Sequence, residues 1–370
     1  MTGKWNYLPL TQEEQKIETA LAQRYASCPP VSQLLVQRGV TSVEEADRFF
    51  NPRLKNLHDP YLMPDMDKAV ERLNRAMGAK EKIMVYGDYD VDGTTAVALV
   101  YKYLSNFYSN IDYFIPTRYE EGYGISSEII DDFAGQGVKL VIILDCGIKA
   151  NEEIAHAREH GIDFIICDHH VPDEELPHAV AILNPKMPGS TYPCPHLSGC
   201  GVGFKFMQAF AQSNGIAQGE LEGMLDLVAV SIAADIVPMV DENRIMAYYG
   251  LRRLNTNPNM GLRAIIRICN LTNREITISD VIFKIGPRIN ASGRMQSGKA
   301  AVDLLVSRDI ADAYERAKDI DQYNRDRKEL DKRITEEANA ILSKRHEAES
   351  DKKTIVIFNK DWHKGIIGIV

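Results

Sequence analysis

Four short apolar runs, separated by segments with helical spacing, most constrain what this chain can fold into. KIMVYG, IDYFIP, LVIILD and DFIICD are rich in β-branched and aromatic residues, and TTAVALVYKYLSNF, SSEIIDDFAGQG and NEEIAHAREH alternate with them. Strands that are apolar almost throughout are typical of a parallel sheet covered by helices on both faces. The sequence therefore predicts a doubly wound α/β domain, in which ligands would collect outside the carboxyl ends of the strands.

Segments with other patterns flank this domain, which we place at residues 80–306. Residues 1–79 are predicted to form short helices, and Thr41 and Glu44 have the spacing of a capping box. Residues 307–349 are strongly charged with helical spacing, which predicts a long connector helix. TIVIFN has the pattern of a new strand, so we expect residues 350–370 to be the start of a second α/β domain that is truncated at KGIIGIV.

Two segments inside residues 80–306 depart from the alternating pattern. ELEGMLDLVAVSIAADIVPM is apolar almost all round, which predicts a buried helix ending near Pro238. IFKIGPRINASGRM contains so many glycine, proline and polar residues that we expect it to form no regular element.

Composition excludes several classes of protein. The net charge of -9 argues against a protein that coats nucleic acid nonspecifically, although it leaves room for a local basic channel. The sequence has neither an apolar run of about 20 residues nor a targeting pattern at its start, so the expected location is the cytoplasm. Cys194, His196 and Cys200 match no common zinc spacing and lack a fourth ligand, so we reject a zinc site there.

Three alternating carboxylates follow the first predicted strand. In GDYDVDGTTA these are Asp88, Asp90 and Asp92, and Gly93 permits a tight turn into the next helix. Carboxylates this close repel one another unless a cation lies among them, and oxygen ligands favour Mg²⁺ or Mn²⁺. A solvated acidic turn or a calcium loop is the alternative, but the calcium loop needs a preceding helix and a glutamate at its twelfth position, where this chain has Leu99.

Two further strand ends carry polar side chains. Asp145 follows LVIIL in LDCG, and Asp168, His169 and His170 follow DFIIC. Alone, an aspartate at a strand end is more often a turn former, and a His-His pair is often surface decoration. Because the carboxyl ends of parallel strands lie at one edge of a sheet, we expect these residues to join the first acidic cluster, with one imidazole as a ligand and one facing substrate.

Asp235 lies in the apolar segment LVAVSIAADIVPM. A buried carboxylate is costly unless it is paired or coordinated, so Asp235 is a candidate ligand of the same centre. Pairing with an arginine such as Arg244 is the alternative.

GDYDVDGTTA, LDCG, CDHHVP and AADIVP occur here in the order found in the DHH phosphoesterase superfamily, which this chain resembles. Within it, LSGCGVGFK, GPRINASGRM, WHKGIIGIV and the N-terminal LVQRGVTSVEEADRFFNPRLKNLHDPYLMPDM resemble the bacterial exonucleases specific for single-stranded DNA. The resemblance spans nearly the whole chain.

This resemblance implies two Mn²⁺ or Mg²⁺ ions bridged by Asp145 and a reaction that hydrolyses phosphodiester bonds. It implies that Asp88 and Asp90 hold one ion, that Asp92, His169 and Asp235 hold the other, that His170 faces the scissile phosphate and that Asp168 orients an imidazole.

Four residues outside the centre are candidate substrate contacts. Arg288, Asn290 and Arg294 in GPRINASGRM offer donors suited to a terminal phosphate or a strand's backbone, unless the arginines pair with acidic residues. The glycines of SGCGVGFK would let a strand approach closely beside Lys205, although helix packing explains them almost as well.

The function implied by the resemblance is a 5′-to-3′ exonuclease acting on single-stranded DNA in recombination and repair, with a single-stranded-DNA-binding protein and a helicase as candidate partners. The polarity rests on the resemblance alone. One alternative is a DHH hydrolase of small nucleotides or oligoribonucleotides. The other is a non-catalytic DHH scaffold protein, and the retention of every motif carboxylate and both histidines disfavours that scaffold.

Overall fold

The computed structural model describes residues 8–25, 29–117, 124–346 and 354–369. Its strands are β1 (Lys82–Gly87), β2 (Ile111–Phe114), β3 (Val138–Leu144), β4 (Asp163–Cys167) and β5 (Ala181–Leu183). Within those ranges they form one parallel sheet in the order β2-β1-β3-β4-β5. The predicted α/β fold is confirmed, and β5 is an addition that was too short to recognise in the sequence.

Helices surround the sheet on both sides and extend from it at both ends of the chain. The N-terminal ones are α1 (Gln12–Tyr25), α2 (Pro29–Gln37), α3 (Val43–Phe50) and α4 (Met66–Gly78). Those between strands are α5 (Val91–Leu104), α6 (Ser127–Gly135) and α7 (Asn151–Glu159). After β5 come α8 (Gly199–Ser213), α9 (Gly219–Glu222), α10 (Leu225–Ala234), α11 (Asp241–Thr256), α12 (Met260–Ile268), α13 (Ile278–Asp280), α14 (Gly286–Met295), α15 (Lys299–Val306) and α16 (Ile310–His346). In the described ranges no helix is both long and apolar enough to span a membrane.

Alternate residues of each strand face two different cores. In β1, Ile83 and Val85 belong to the larger core, which includes residues of α5, α8 and α10. Met84 and Tyr86 belong to a second core, which includes residues of α6 and α7. This two-sided burial explains why the strands are apolar almost throughout.

The carboxyl ends of the three central strands lie level with one another. Gly87 of β1 pairs with Leu144 of β3, and Leu144 pairs with Cys167 of β4. The chain leaves β1 towards β2 on one side and later adds β3, β4 and β5 on the other, so the strand order reverses between β1 and β3. Ligand sites of doubly wound folds lie at such a reversal.

The N-terminal segment has its own small core, but its last helix does not belong to it. Leu21, Leu35 and Ala46 of α1, α2 and α3 form that core, whereas α4 packs into the larger core of the sheet domain. Arg72 of α4 also pairs with Asp163 at the start of β4, at 2.6 Å. Helix α4 therefore packs with the sheet domain, although we had assigned it to the N-terminal segment, residues 1–79.

One predicted helix cap is displaced by a residue. The N-cap of α3 is Ser42, whose side chain accepts a hydrogen bond from the Glu45 backbone N–H at 3.1 Å. The Glu45 carboxylate in turn accepts from the backbone N–H of Thr41 at 2.6 Å. The predicted pair Thr41 and Glu44 was therefore wrong, and Ser42 and Glu45 take its place. The spacing alone could not distinguish the two pairs, because Thr41 is followed by a second hydroxyl residue and Glu44 by a second glutamate.

Two predictions about the C-terminal half of the chain are wrong. Residues 281–295 are helical, as a π-helical turn Val281–Ile285 followed by α14, because Pro287 stands in the first turn, where proline is tolerated. Residues 354–359, TIVIFN, form no strand among the residues that the structure describes. A strand needs a neighbour for its backbone hydrogen bonds, and the apolar pattern cannot supply one.

Candidate metal centre

The first acidic motif forms the tight connection between β1 and α5. Asp88 directly follows the strand, Asp90 is the N-cap of α5 and accepts from the Gly93 backbone N–H at 3.0 Å, and Asp92 lies in the first turn. A Cβ added at Gly93 would lie 2.4 Å from the Asp88 carbonyl oxygen. Only glycine at residue 93 therefore lets the helix begin this close to the strand end.

Asp92 is held by the N-terminus of α8, a role that we did not predict for the SGCG segment. Its carboxylate accepts from the backbone N–H groups of Gly199 at 2.7 Å and Cys200 at 2.8 Å, and from the Ser231 hydroxyl at 2.7 Å. Helix N-termini favour negative charge, so α8 both fixes and stabilises this buried carboxylate. The glycines thus serve packing against the acidic centre.

Asp145 occupies the middle of the centre. It directly follows β3 with φ 61°, a left-handed conformation that aspartate tolerates better than most residues. A Cβ at Gly199 would lie 2.6 Å from the Asp145 Cβ, so α8 also approaches this residue closely. Burial, followed by the negative charges of Asp92 and Asp90, raises the pKa of Asp145 well above its ordinary value. A nearby cation would relieve that repulsion.

The His169 imidazole lies where three carboxylates converge. Its Nε2 is 3.1 Å from Asp145 Oδ1, 3.6 Å from Asp235 Oδ2 and 3.8 Å from Asp92 Oδ2. Burial lowers the pKa of His169 and so favours the neutral ring, which is the form that binds a metal.

Asp168 orients the neighbouring imidazole. Its Oδ1 accepts from His170 Nδ1 at 2.7 Å and from the His170 backbone N–H at 3.1 Å, while Oδ2 accepts from the Ile148 backbone N–H at 3.0 Å. The hydrogen bond to Asp168 raises the pKa of His170. His170 is half-exposed and borders a cavity of about 280 Å³ that also includes Gly147 and Lys149.

Asp235 lies directly after α10 and not inside it. Its side chain is 29% exposed, and burial together with Asp92 and Asp90 raises its pKa to about 7. A carboxylate at a helix C-terminus is unfavourable, so helix capping does not explain it. The alternative partner Arg244 instead donates from Nε to the Phe49 carbonyl oxygen at 2.6 Å.

The ligand atoms of these residues form three overlapping sets, each within 4.8 Å. The sets are Asp88, Asp90 and Asp145; Asp92, His169 and Asp235; and Asp145, His169 and His170. Asp145 Oδ1 is buried and has no hydrogen-bond partner among the described residues. Carboxylate oxygens with few imidazoles suit Mg²⁺ or Mn²⁺, so the residues present fit such ions.

Two of the four expected substrate contacts are already engaged elsewhere. Lys205 is fully buried, and its Nζ donates to Glu242 at 2.9 Å and to the His58 carbonyl oxygen at 2.6 Å. Arg288 donates from Nε to Asp321 of α16 at 2.8 Å. We therefore withdraw Lys205, which is fully buried, whereas the side chain of Arg288 is 18% exposed and its substrate contact stays a prediction.

Asn290 and Arg294 remain as candidates. They are four residues apart on α14 and so share one side of the helix, whereas Arg288 lies on another. The helix packs against the first acidic loop, since a Cβ at Gly293 would lie 2.5 Å from the Tyr89 carbonyl oxygen. Arg294 also donates to the Gly365 carbonyl oxygen at 3.1 Å.

Two residues after β5 were missed. Asn184 is buried and donates from Nδ2 to the His170 carbonyl oxygen at 2.9 Å, which helps hold that loop. Burial raises the pKa of Asp235 and lowers that of His169, and the positive charge of Lys186 makes a smaller contribution that lowers both. The sequence signal for them was NPK after a short apolar run, which is recognisable only once β5 is known.

The fold and the site together define an α/β protein with a carboxylate–histidine centre at the reversal point of a parallel sheet. Residues 82–232 match the family model described as the DHH family, N-terminal domain. Residues 82–232 therefore form a DHH-family N-terminal domain.

Several of the chain's relatives carry the same name. It is 37% identical over 97% of its length to the single-stranded-DNA-specific exonuclease RecJ of Bacillus subtilis, and 34% identical over 93% of its length to that of Escherichia coli. The crystal structure of RecJ from Thermus thermophilus in complex with Mn²⁺ matches 98% of the chain with a TM-score of 0.79 and 26% identity. The chain spans 44%, 61% and 50% of these three proteins, respectively.

Proposed function

We propose that this chain is a metal-dependent exonuclease that hydrolyses phosphodiester bonds of single-stranded DNA in recombination and repair. The observation that carries the proposal is the convergence of two ligand sets at the reversal point of the sheet. Similarity to RecJ proteins over more than nine-tenths of the chain supports the substrate.

The proposed ligands divide between two Mn²⁺ or Mg²⁺ ions. Asp88 and Asp90 would hold one ion and Asp92, His169 and Asp235 the other. Asp145 would bridge them, because its oxygen lies within reach of both sets. Two such ions lower the pKa of water and stabilise charge on the attacking and leaving oxygens at phosphorus.

The protein's own side chains would position the substrate. Asp168 fixes the His170 ring through Nδ1, so the opposite nitrogen, Nε2, is the one that we propose donates to the scissile phosphate. Asn290 and Arg294 would contact the strand's backbone from α14, which packs on the first acidic loop. The same proposal includes the 5′-to-3′ direction and a cytoplasmic location. It also includes partnership with a single-stranded-DNA-binding protein and a helicase, and all of these rest on resemblance.

The test is a parallel assay with Mn²⁺. The 370-residue chain is incubated with 5′-phosphorylated single-stranded DNA, duplex DNA, a diribonucleotide, a cyclic dinucleotide and pyrophosphate, and the products are followed with time. We expect the single strand to be shortened to mononucleotides from its 5′ end while duplex DNA survives.

Asp145→Asn is the matched control, because asparagine also tolerates the left-handed conformation of residue 145. Survival of single-stranded DNA while a small substrate is consumed would contradict the exonuclease and favour a small-nucleotide hydrolase. If the chain binds Mn²⁺ but hydrolyses none of the five substrates, the result favours the non-catalytic scaffold. Activity that persists in the Asp145→Asn variant would contradict the bridging role.

A further inference from the structure

A second group of metal-ligating side chains lies on the two helices that cover one face of the sheet. Asp131 of α6 meets His156 of α7 and His160, which directly follows that helix. Asp131 Oδ1 is 2.8 Å from His156 Nε2 and 3.3 Å from His160 Nε2. All three ligand atoms lie within 4.8 Å of one another.

The sequence spacing and the packing of the helices create this group. His156 and His160 are four residues apart and so project from the same side of α7, with ring centroids 4.7 Å apart. The helices α6 and α7 pack on the same core, which brings Asp131 opposite the histidine pair. Two helical histidines at this spacing on one face are a known arrangement for zinc ligands.

The group lies away from the carboxylate centre. His160 stands three residues before Asp163, where β4 begins, and therefore lies near the amino ends of the strands. Asp88, Asp145 and Asp168 follow the carboxyl ends. No residue is shared between this group and the three sets of the centre.

We propose that Asp131, His156 and His160 bind a late first-row divalent cation, with Zn²⁺ as the best fit. Two imidazoles with one carboxylate select Zn²⁺ over Mg²⁺ or Ca²⁺, which take oxygen ligands. Zinc bonds of about 2.0–2.2 Å to nitrogen and oxygen place tetrahedral ligands about 3.3 Å apart. This is the separation of Asp131 Oδ1 and His160 Nε2, and it is longer than the 2.8 Å between Asp131 Oδ1 and His156 Nε2. All three side chains are at least 30% exposed, so an ion can enter and a water molecule can complete the coordination.

Metal binding requires a change of tautomer at His156, because its Nε2 is hydrogen-bonded to the Asp131 carboxylate at 2.8 Å. A metal takes the lone pair on Nε2, so each ring must carry its proton on Nδ1. The Glu159 carboxylate lies 4.0 Å from His156 Nδ1, where it can accept that proton's hydrogen bond once the ring adjusts. Such carboxylate–histidine–zinc arrangements orient the ring and strengthen the ligand. The bound ion would link α6 to α7.

The test compares Zn²⁺ binding by calorimetric titration in four proteins without affinity tags, each checked for folding by circular dichroism. They are the wild type, His156→Asn/His160→Asn, Asp131→Asn and, as a control, His178→Asn, which removes an exposed histidine elsewhere. All titrations contain excess Mg²⁺. The double variant is also tested in the Asp145→Asn background, so that Zn²⁺ bound at the carboxylate centre is not mistaken for Zn²⁺ bound at this group.

We expect the double variant to lose one equivalent of Zn²⁺ in both backgrounds and Asp131→Asn to weaken that equivalent at least about tenfold. Zn²⁺ should also raise the unfolding temperature of the wild type by an increment that the double variant lacks. Equal Zn²⁺ stoichiometry in the wild type and the double variant would overturn the site. Unchanged affinity in Asp131→Asn would overturn its three-ligand composition. None of these outcomes depends on nuclease activity.

Discussion

Two clusters of buried charge among the described residues have opposite character. In the Lys205–Glu242 pair, one positive and one negative charge meet at 2.9 Å with both side chains fully buried. The remaining acceptor sites of Glu242 are filled by the Tyr192 hydroxyl at 2.6 Å and the His58 backbone N–H at 2.9 Å. The carboxylate centre instead gathers aspartates whose charges outnumber the nearby cations.

This difference separates charge that holds the fold from charge that would serve the proposed reaction. The ion pair is complete within the protein and joins the N-terminal segment, α8 and α11. In the centre the Asp145 carboxylate is buried 3.1 Å from the His169 ring nitrogen, and burial together with repulsion from Asp92 and Asp90 raises its pKa. Removing a charge should therefore stabilise one cluster and destabilise the other.

The largest effect is expected for Asp145→Asn. Activity should fall by more than the roughly 10–100-fold typical of outer-sphere partners, because a proposed bridging ligand is lost. In the presence of EDTA the same variant should unfold at a higher temperature than the wild type, since a buried like charge is removed. Nuclease assays and thermal unfolding measure both. A lower unfolding temperature of the variant in EDTA would contradict the claim that removing a charge stabilises the centre, in contrast to the Lys205–Glu242 pair.

Glu242→Gln should produce the opposite result. It leaves the Lys205 charge buried without its partner, so the free energy of unfolding should fall by about 3–5 kcal/mol. Urea unfolding measures this loss, while the activity of the molecules that remain folded should be retained. Glu71→Gln, on the exposed side of α4, is the control and should change stability by less than about 0.5 kcal/mol. A similar small change for Glu242→Gln would show that the pair does not hold the fold.

Gly199→Ala tests the close approach of α8 to the centre. The added methyl would lie 2.6 Å from Asp145 Cβ, so we expect a loss of about 1–3 kcal/mol in stability together with weaker Mn²⁺ binding. Gly135→Ala adds the same group where nothing lies within 4 Å and should leave both properties unchanged. Equal behaviour of the two variants would mean that α8 does not position Asp145.

The smallest effect is expected for Ser231→Ala. It removes one of three hydrogen bonds to Asp92, so Mn²⁺ affinity should fall by about tenfold, the lower end of the usual range for outer-sphere partners. Calorimetric titration with Mn²⁺ measures it. Ser343→Ala, which removes an exposed hydroxyl on α16, should have no effect. No change in the Ser231→Ala variant would assign the positioning of Asp92 to α8 alone.

Much of the fold and the membership of the centre were predictable because both depend on local patterns. Apolar runs such as LVIIL indicate buried strands, and the carboxyl ends of parallel strands lie at one edge, so Asp88, Asp145 and Asp168 had to be neighbours. Residues 281–295 escaped prediction because Gly293 suggests a loop in isolation. Only the packing against Tyr89 reveals why glycine stands inside a helix there.

The sequence alone determined the parallel sheet, the polar residues at its edge and the resemblance of their motifs to the DHH family, because strand periodicity and motif order can be read along the chain. Tertiary structure decided what each charged side chain meets. It paired Lys205 and Arg288 with acidic partners, turned the α8 N-terminus towards Asp92 and brought Asp131 to two histidines. Such partners are distant in sequence, and a charge takes its role from the groups that packing places within a few ångströms of it.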